Sequence, residues 1–384
     1  MKIVIIGGKL QGVEASYLAK KAGWEVVIVD KNDFVPAKGL CDEFYQLDIL
    51  DCGEKFLKLI KNADLIIPAI EDKLTLDYLD QIAKNNGFPL AFQAFSYDIT
   101  SSKRQSNNLF MEHDIPIPKY FPKCNLPLII KPSDSSGSQG VRKVRTVKEL
   151  SEYLTESNLN EVNWIIQEYV EGQIYSLEVI GCQGKFITYQ ITDLEMDNNY
   201  DCKRVAAPSK LIPNLETQLR KMTEKIAKLI NLNGIMDIEV VNHNGDLKVL
   251  EIDARLPSQT PTVVFKSTGI NFLEELYKVY VQKSVDKPDI TPKKAVIYEH
   301  ICVTKEVIKT LGEHIIATAS SLKLKKDFFG ADEALTNYVR GCTSWVATLI
   351  VTESNFSKAW EKRSKVIENI QKHCHVDTYL DPIP

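Results

Sequence analysis

The stretch from Gly234 to Arg255, GIMDIEVVNHNGDLKVLEIDAR, restricts this chain more than any other. Two alternating apolar runs flank HNGD, and an Asn-Gly pair between strand runs predicts a tight β-hairpin. The first strand carries Glu239 and the second carries Glu251 and Asp253. Side chains alternate along a strand, so Glu251 and Asp253 share one face. Three carboxylates converging at one end of a hairpin repel one another unless a cation neutralises them. Hard oxygen donors of this kind suit Mg²⁺ bridging nucleotide phosphates. An isolated Glu-x-Asp pair reads more readily as a solvated strand face. The adjoining Arg255, whose planar fork matches phosphate oxygens, shifts the reading toward a metal and phosphate site.

Upstream, KIVII passes through Gly7, Gly8 and Gly12 into a helical stretch that runs to Lys21, and WEVVIVD closes at Asp30. This is the opening of a βαβ unit. Strand and helix patterns continue through ADLIIPAI and LTLDYLDQIAKNN to FPLAF, where a parallel sheet is expected to finish near residue 93. After polar SSKRQSNN and a short helix, LFMEHD, the prolines of IPIPKYFPKCNLP read as a linker. LIIKP, VRKV and WIIQEYV then predict three strands around a helix, VKELSEYL. Further strands, an amphipathic helix near 215–231 and the hairpin follow. Beyond 293 there are strands and a final helix, KAWEKRSKVIENIQKH, without a motif. The expectation is an α/β and α+β chain in three parts. A Rossmann-like domain occupies 1–93, a central domain 94–292 with a small lobe at about 118–180, and a C-terminal domain 293–384.

Charge and cysteine usage narrow the partners. A net charge of -4 over 384 residues gives no global attraction to nucleic acid or anionic lipid. No apolar run approaches the roughly 20 residues that span a bilayer, and the first apolar run ends in a glycine turn rather than a cleavage site. Eight scattered cysteines without a CxxC pair fit reduced thiols in a cytoplasm. Small-molecule partners are expected, with no nucleic acid and no membrane.

A second constellation is Lys131 at a strand end before PSDSSGSQG, where small residues, Ser138 among them, let backbone amides approach phosphates. It is not a Walker A loop, and alone it reads as a turn. Gln167, Glu168, Tyr169 and Val170 end a strand in a way that suits an adenine ring, or a plain buried strand end. A different class, an NAD-dependent oxidoreductase, is suggested by GGKLQG and Asp30. Lys9, however, occupies the position of the second glycine that must admit a pyrophosphate. His373, Cys374 and His375 beside a helix end read as packing surface. Ser135 and Ser136, lacking a His/Asp set, read as loop residues and not nucleophiles.

The order of the βαβ unit, Lys103, KPSDSSGS with Lys131, QEYVEG, GIMDIEVV and LEIDARLPSQTP resembles the ATP-grasp superfamily over residues 1 to 290. That resemblance implies an ATP-grasp fold with an N-terminal Rossmann-like pre-ATP-grasp domain and a small C-terminal domain. It implies ATP held between two lobes, an acyl phosphate intermediate, and Mg²⁺, with Mn²⁺ as a substitute, on Glu239, Glu251 and Asp253. Lys131 and Arg255 would be catalytic. Nucleotide would meet Lys9, Gln11, Asp30, Lys103, Lys131, Ser138, Gln167, Glu168, Tyr169 and Val170.

The strings GGKLQG, KKAG, DEFY, EYVEG, SLEV, YDC, GIMD, LEIDAR, PSQTPT, SGIN and YEH resemble a narrower family, the pyrrolysine-biosynthesis ligases that join 3-methylornithine to lysine. This implies an amide bond between the carboxylate of (3R)-3-methyl-D-ornithine and the ε-amine of L-lysine, with ATP becoming ADP and phosphate. The substrate contacts implied are Glu71, Asp72, Ser176, Leu177, Glu178, Asp237, Ser258, Gln259, Thr260 and Glu299. Another ATP-grasp carboxylate–amine ligase, of the D-alanine–D-alanine ligase kind, is the alternative within the superfamily, and a homodimer is left open. The chain departs from the superfamily pattern at three places. Asp253 stands where Asn is common, Asn107 where a second nucleotide lysine is expected, and Gln173-Ile174 where an acid often holds the ribose.

Overall fold

A computed structural model describes residues 1–135, 137–156 and 164–384, so Ser136 lies outside the described residues. The chain opens with β1 (Lys2–Ile6), α1 (Leu10–Lys21), β2 (Glu25–Asp30), β3 (Glu43–Gln46), α2 (Gly53–Ile60), β4 (Leu65–Pro68) and α3 (Lys73–Asn86). Its four strands form a sheet in the order β3-β2-β1-β4, and the pairs are parallel. Consecutive residues Ile3, Val4 and Ile5 are all fully buried. Helices on both faces of a parallel sheet require such unbroken apolar runs. FPLAF makes no strand and contributes one bridge, Ile66 to Leu90.

The glycines of the first turn serve packing. A Cβ at Gly12 would stand 2.3 Å from Gly7 O, so α1 lies directly on the turn. Asp30 Oδ2 accepts the Gly8 N–H at 2.8 Å, which places a carboxylate on the amide that a dinucleotide phosphate would need.

Two helices, α4 (Ala94–Thr100) and α5 (Lys103–Glu112), lead into the small lobe. Helix α5 begins inside the polar SSKRQSNN stretch because Ser133 serves its first amides: Lys103 N–H donates to Ser133 O at 2.9 Å and Arg104 N–H to Ser133 Oγ at 3.1 Å. The lobe holds β5 (Leu128–Pro132), β6 (Arg142–Val144), α6 (Val147–Glu156) and β7 (Trp164–Glu168), with antiparallel order β6-β5-β7.

The large sheet starts with β8 (Gln173–Cys182), β9 (Lys185–Met196), β10 (Cys202–Ala207), α7 (Pro213–Leu229), β11 (Gly234–His243) and β12 (Asp246–Asp253). Asn244 and Gly245 both take positive φ, 54° and 95°, as the two-residue hairpin turn demands. Then come α8 (Thr260–Thr268), α9 (Phe272–Tyr277), β13 (Ala295–Val303), β14 (Val307–Thr310), α10 (His314–Ala317), β15 (Lys323–Phe328), β16 (Ala331–Thr336), β17 (Trp345–Glu353), α11 (Phe356–Cys374) and β18 (Thr378–Leu380). Strand β13 pairs with β10, so one sheet runs β12-β11-β8-β9-β10-β13-β17-β16-β15, with β14 and β18 attached beside β13. The expected C-terminal domain therefore shares its sheet with the central one.

Candidate active site

Strand register builds the site. On adjacent strands β12, β11 and β8, Asp253 lies opposite Asp237, which lies opposite Glu178. One step of two residues away, Glu251 lies opposite Glu239, which lies opposite Ser176. Strands sit about 4.8 Å apart and same-face residues about 6.7 Å apart, so five carboxylates and a hydroxyl form a compact grid on one face. The intervening Leu177, Ile238 and Ile252 point the other way, into a core with Leu215, Leu219 and Ile226 of α7. Leu177 thus faces the core.

Such a grid is costly without cations, and its electrostatics show it. Burial raises the Glu239 carboxyl to about 7, with Glu251 and Glu313 pushing the same way. Asp253 rises to about 6 by burial, against the pull of Arg255. Burial raises Glu178 to about 7, and it drives Asp237 well above the carboxylate range, with Asp253 and Glu239 adding repulsion. Among the described residues, buried polar atoms without a hydrogen-bond partner gather here: Ser176 Oγ, both Glu178 oxygens, Asp237 Oδ1, Asp253 Oδ1 and Thr260 Oγ1. Buried polar groups left unpaired in a folded protein ask for an explanation, and a bound ligand supplies one.

A basic side of the cleft faces this grid. Lys131, on β5, is buried and donates to Leu250 O at 3.2 Å. Burial lowers its ammonium to about 8 even though Glu251 pulls it upward. Lys103, at the start of α5, pairs with Glu251 at 2.6 Å and reaches Ser135 O at 2.5 Å, tying the loop after β5 to the carboxylates. Ser138 Oγ donates to Tyr200 O at 2.5 Å, closing the loop onto the turn before β10. At the far end Gln167, Glu168, Tyr169 and Val170 line the cleft beside Ile129 and Leu250. Glu168 Oε1 takes Lys248 Nζ at 2.5 Å and Lys119 N–H at 2.9 Å. Asn107 donates to Tyr120 Oη at 2.8 Å, so it braces the lobe.

The turn after β12 adds Ser258, Gln259 and Thr260 to the cavity wall. Glu313, which no motif announces, also lines it and accepts from Ser258 Oγ at 2.6 Å and Gln259 Nε2 at 2.8 Å. A lone acid in the LGEHII stretch has no spacing signal, so sequence reasoning missed it. Arg255 pairs with Asp253 at 2.8 Å and with Glu71 of the first domain at 2.5 Å. Gln11 joins Glu71 at 3.0 Å. Lys9, Gln11, Asp30 and Asp72 belong to the first domain and lie outside the cleft wall; Asp30 serves Gly8, and Asp72 caps α3 through Thr75 N–H at 2.9 Å. Glu299 is elsewhere. Fully buried, it is held by Arg204 Nε at 2.9 Å and Arg363 Nε at 2.6 Å, and both its oxygens are occupied.

Glu239, Glu251 and Asp253 offer oxygen donors of the kind a hard divalent cation takes, the orphaned Asp253 Oδ1 among them, while the ligand atoms that already stand close together among the described residues belong to Asp197, Asp201 and His314. Lys131, Lys103 and the small-residue loop opposite fit nucleotide phosphates.

Fold and site together define an ATP-dependent carboxylate–amine ligase of the ATP-grasp kind. Residues 100–259 match the ATP-grasp domain family, and residues 3–89 match the family described as PylC-like, N-terminal domain. Two solved structures share the fold. The ADP complex of N5-carboxyaminoimidazole ribonucleotide synthetase has a TM-score of 0.71 and 14% identity, covering 97% of each chain. The biotin carboxylase domain dimer of Hydrogenobacter thermophilus 2-oxoglutarate carboxylase, solved with MgADP, ADP and bicarbonate, has a TM-score of 0.72 and 16% identity, covering 96% of this chain and 89% of that one. The 3-methyl-D-ornithine–L-lysine ligase of Methanosarcina barkeri is 36% identical over 319 residues, covering 83% of this chain and 84% of its own length. This chain belongs to that ligase family.

Proposed function

We propose that this chain joins the carboxylate of (3R)-3-methyl-D-ornithine to the ε-amine of L-lysine, converting ATP to ADP and phosphate. The observation that carries the reading is the surplus of buried acid. Beyond the three carboxylates assigned to metal, Asp237 lines the same cavity with an unpartnered oxygen, and Glu178, opposite it on β8, holds two more; an ammonium-bearing substrate would satisfy them. Ser176, Ser258, Gln259 and Thr260 would complete that subsite, with Glu71 near lysine. The Methanosarcina ligases to which this chain is similar carry both amino acids in their names.

In the proposed cycle a carboxylate oxygen of the ornithine attacks the γ-phosphorus, the bond to the bridging oxygen breaks, and ADP departs. Lys131, Lys103 and Arg255 balance the charge on the moving phosphoryl group, so their part is electrostatic and positional. Mg²⁺ on Glu239, Glu251 and Asp253 would neutralise phosphate charge, and Mn²⁺ suits the same oxygens. The lysine ε-ammonium gives its proton to phosphate or solvent. The free amine attacks the acyl carbon, and phosphate leaves. Closure of the loop between β5 and β6 keeps water from the acyl phosphate.

We further propose a cytoplasmic enzyme that binds neither nucleic acid nor membrane and acts as a homodimer; no described helix is long and apolar enough to cross a membrane. Light scattering of the purified protein checks the dimer.

The reaction is tested by ADP release with D-ornithine and L-lysine, singly and together, and by product mass. ADP formation that needs both amino acids, with an ornithyl-lysine mass, is expected. ATP turnover indifferent to both would keep the ligase class and discard this substrate pair.

A further inference from the structure

The turn that delivers Ser258, Gln259 and Thr260 is strained. Thr260 N–H donates to Ser258 O at 2.8 Å, and the central Gln259 lies at φ 69° and ψ -60°. This is the γ-turn of positive φ, a rare conformation for a residue with a side chain. It persists only where its surroundings over-determine it.

Glu14 of α1 supplies one of those restraints. Its side chain is 1% exposed, and its Oε1 accepts the Thr262 N–H at 2.5 Å across 248 positions of sequence. The first amides of α8 leave it no substitute. Thr260 N–H is used by the turn, Pro261 has none, and Val263 N–H goes to Gln259 O at 3.3 Å. Gln259 makes no side-chain cap. Thr262 N–H would be orphaned without Glu14, and a carboxylate at a helix N-terminus also meets the positive end of the dipole. On the other side Glu313 holds Ser258 and Gln259 by their side chains. The clamp leaves Gln259 Oε1 and Thr260 Oγ1 buried in the cavity wall, with Thr260 Oγ1 beside the Glu178 carboxyl.

We propose that Glu14 is a positioning residue for the ornithine-type substrate, fixing the start of α8 and thereby the strained Ser258–Thr260 turn that presents polar atoms to it. This rests on the cavity being the amino-acid site. Glu14 lies outside the cleft wall, so it reaches the substrate through the turn and not by contact.

Glu14→Met keeps the volume and removes the acceptor, and Glu14→Gln restores a carbonyl oxygen to Thr262. Kinetic constants for D-ornithine, L-lysine and ATP, and a crystal structure of each variant, test the proposal. The Met variant should raise the KM for D-ornithine about tenfold, the worth of one buried hydrogen bond, with the KM for ATP within about twofold. Gln259 should leave positive φ in that crystal. The Gln variant should restore both. An unchanged KM for D-ornithine, an equal rise for all three substrates, or Gln259 unmoved at φ near 69° would overturn it. Should the Met variant not fold, Glu14→Asp, which withdraws the acceptor by one methylene, must show the same selective rise, and its absence is equally decisive. A wild-type enzyme that forms no ADP with the amino-acid pair would discard the functional reading, while the crystal geometry of Gln259 would still decide the role of Glu14.

Discussion

Lys131 shows how burial sets a working range. Its lowered ammonium, at about 8, is charged in the neutral range and begins to lose its proton just above it. For the free enzyme, kcat/KM for ATP is expected to fall as pH rises through about 8, and a pH–rate profile checks this. Lys131→Met should reduce kcat/KM for ATP by about two orders of magnitude below pH 8 and erase that limb, so that the deficit shrinks as pH rises above it. Glu178 has the opposite sign. Its folded carboxyl, at about 7, lies above its ordinary value of 4.5, so the native state binds more protons than the unfolded chain between those values. Its contribution to stability is therefore present below about 4.5 and lost as pH rises through 7. The unliganded protein is expected to melt at lower temperature at pH 8 than at pH 5. Glu178→Gln should recover about 2 kcal/mol at pH 8 while raising the KM for the ornithine substrate. Calorimetry at both pH values, beside steady-state kinetics, checks the pair.

At the scale of the element, legibility followed local signals. The hairpin of β11 and β12 was readable because Asn244-Gly245 dictates the turn and the two-residue period dictates which acids share a face. What could not be read was the third strand of the grid. That β8 lies beside β11, setting Glu178 opposite Asp237, is a long-range pairing, and only the resemblance pointed to Glu178 and Asp237 as substrate contacts. The start of α5 was missed for a similar reason: its polar first turn is paired with Ser133, a distant residue in the loop after β5. FPLAF has strand composition yet forms one bridge, since position beside β4 decides and composition does not. The first turn yields a test of its own. Gly12→Ala sets a methyl against Gly7 O and should cost about 2 kcal/mol or more in urea unfolding by prying α1 from β1, with little effect on the KM for ATP.

Across the whole molecule, Glu299 ties β13 to β10 and α11. Arg204 of β10 also meets Glu195 and, at 2.7 Å, Asp381 beyond β18, and Arg363 comes from α11. The string YEH, matched by likeness, names a residue whose oxygens this network consumes. Glu299→Gln leaves buried guanidinium charge under-compensated and is expected to cost about 3 kcal/mol of stability, with the KM for both amino acids unchanged in the protein that remains folded. Thermal melts with kinetics at a permissive temperature check this. The sheet that crosses from β10 to β13 has a further result for how this chain can be cut and recombined. Residues 291–294, just before β13, form neither helix nor strand and are exposed, so a protease has access there. Cleavage would sever a covalent bond and leave the ladder intact. The two fragments should travel together until denaturant parts them, and the segment from β13 onward cannot be lent to another scaffold as a module, because removing it strips β10 of its neighbour and leaves a raw edge in the middle of the sheet.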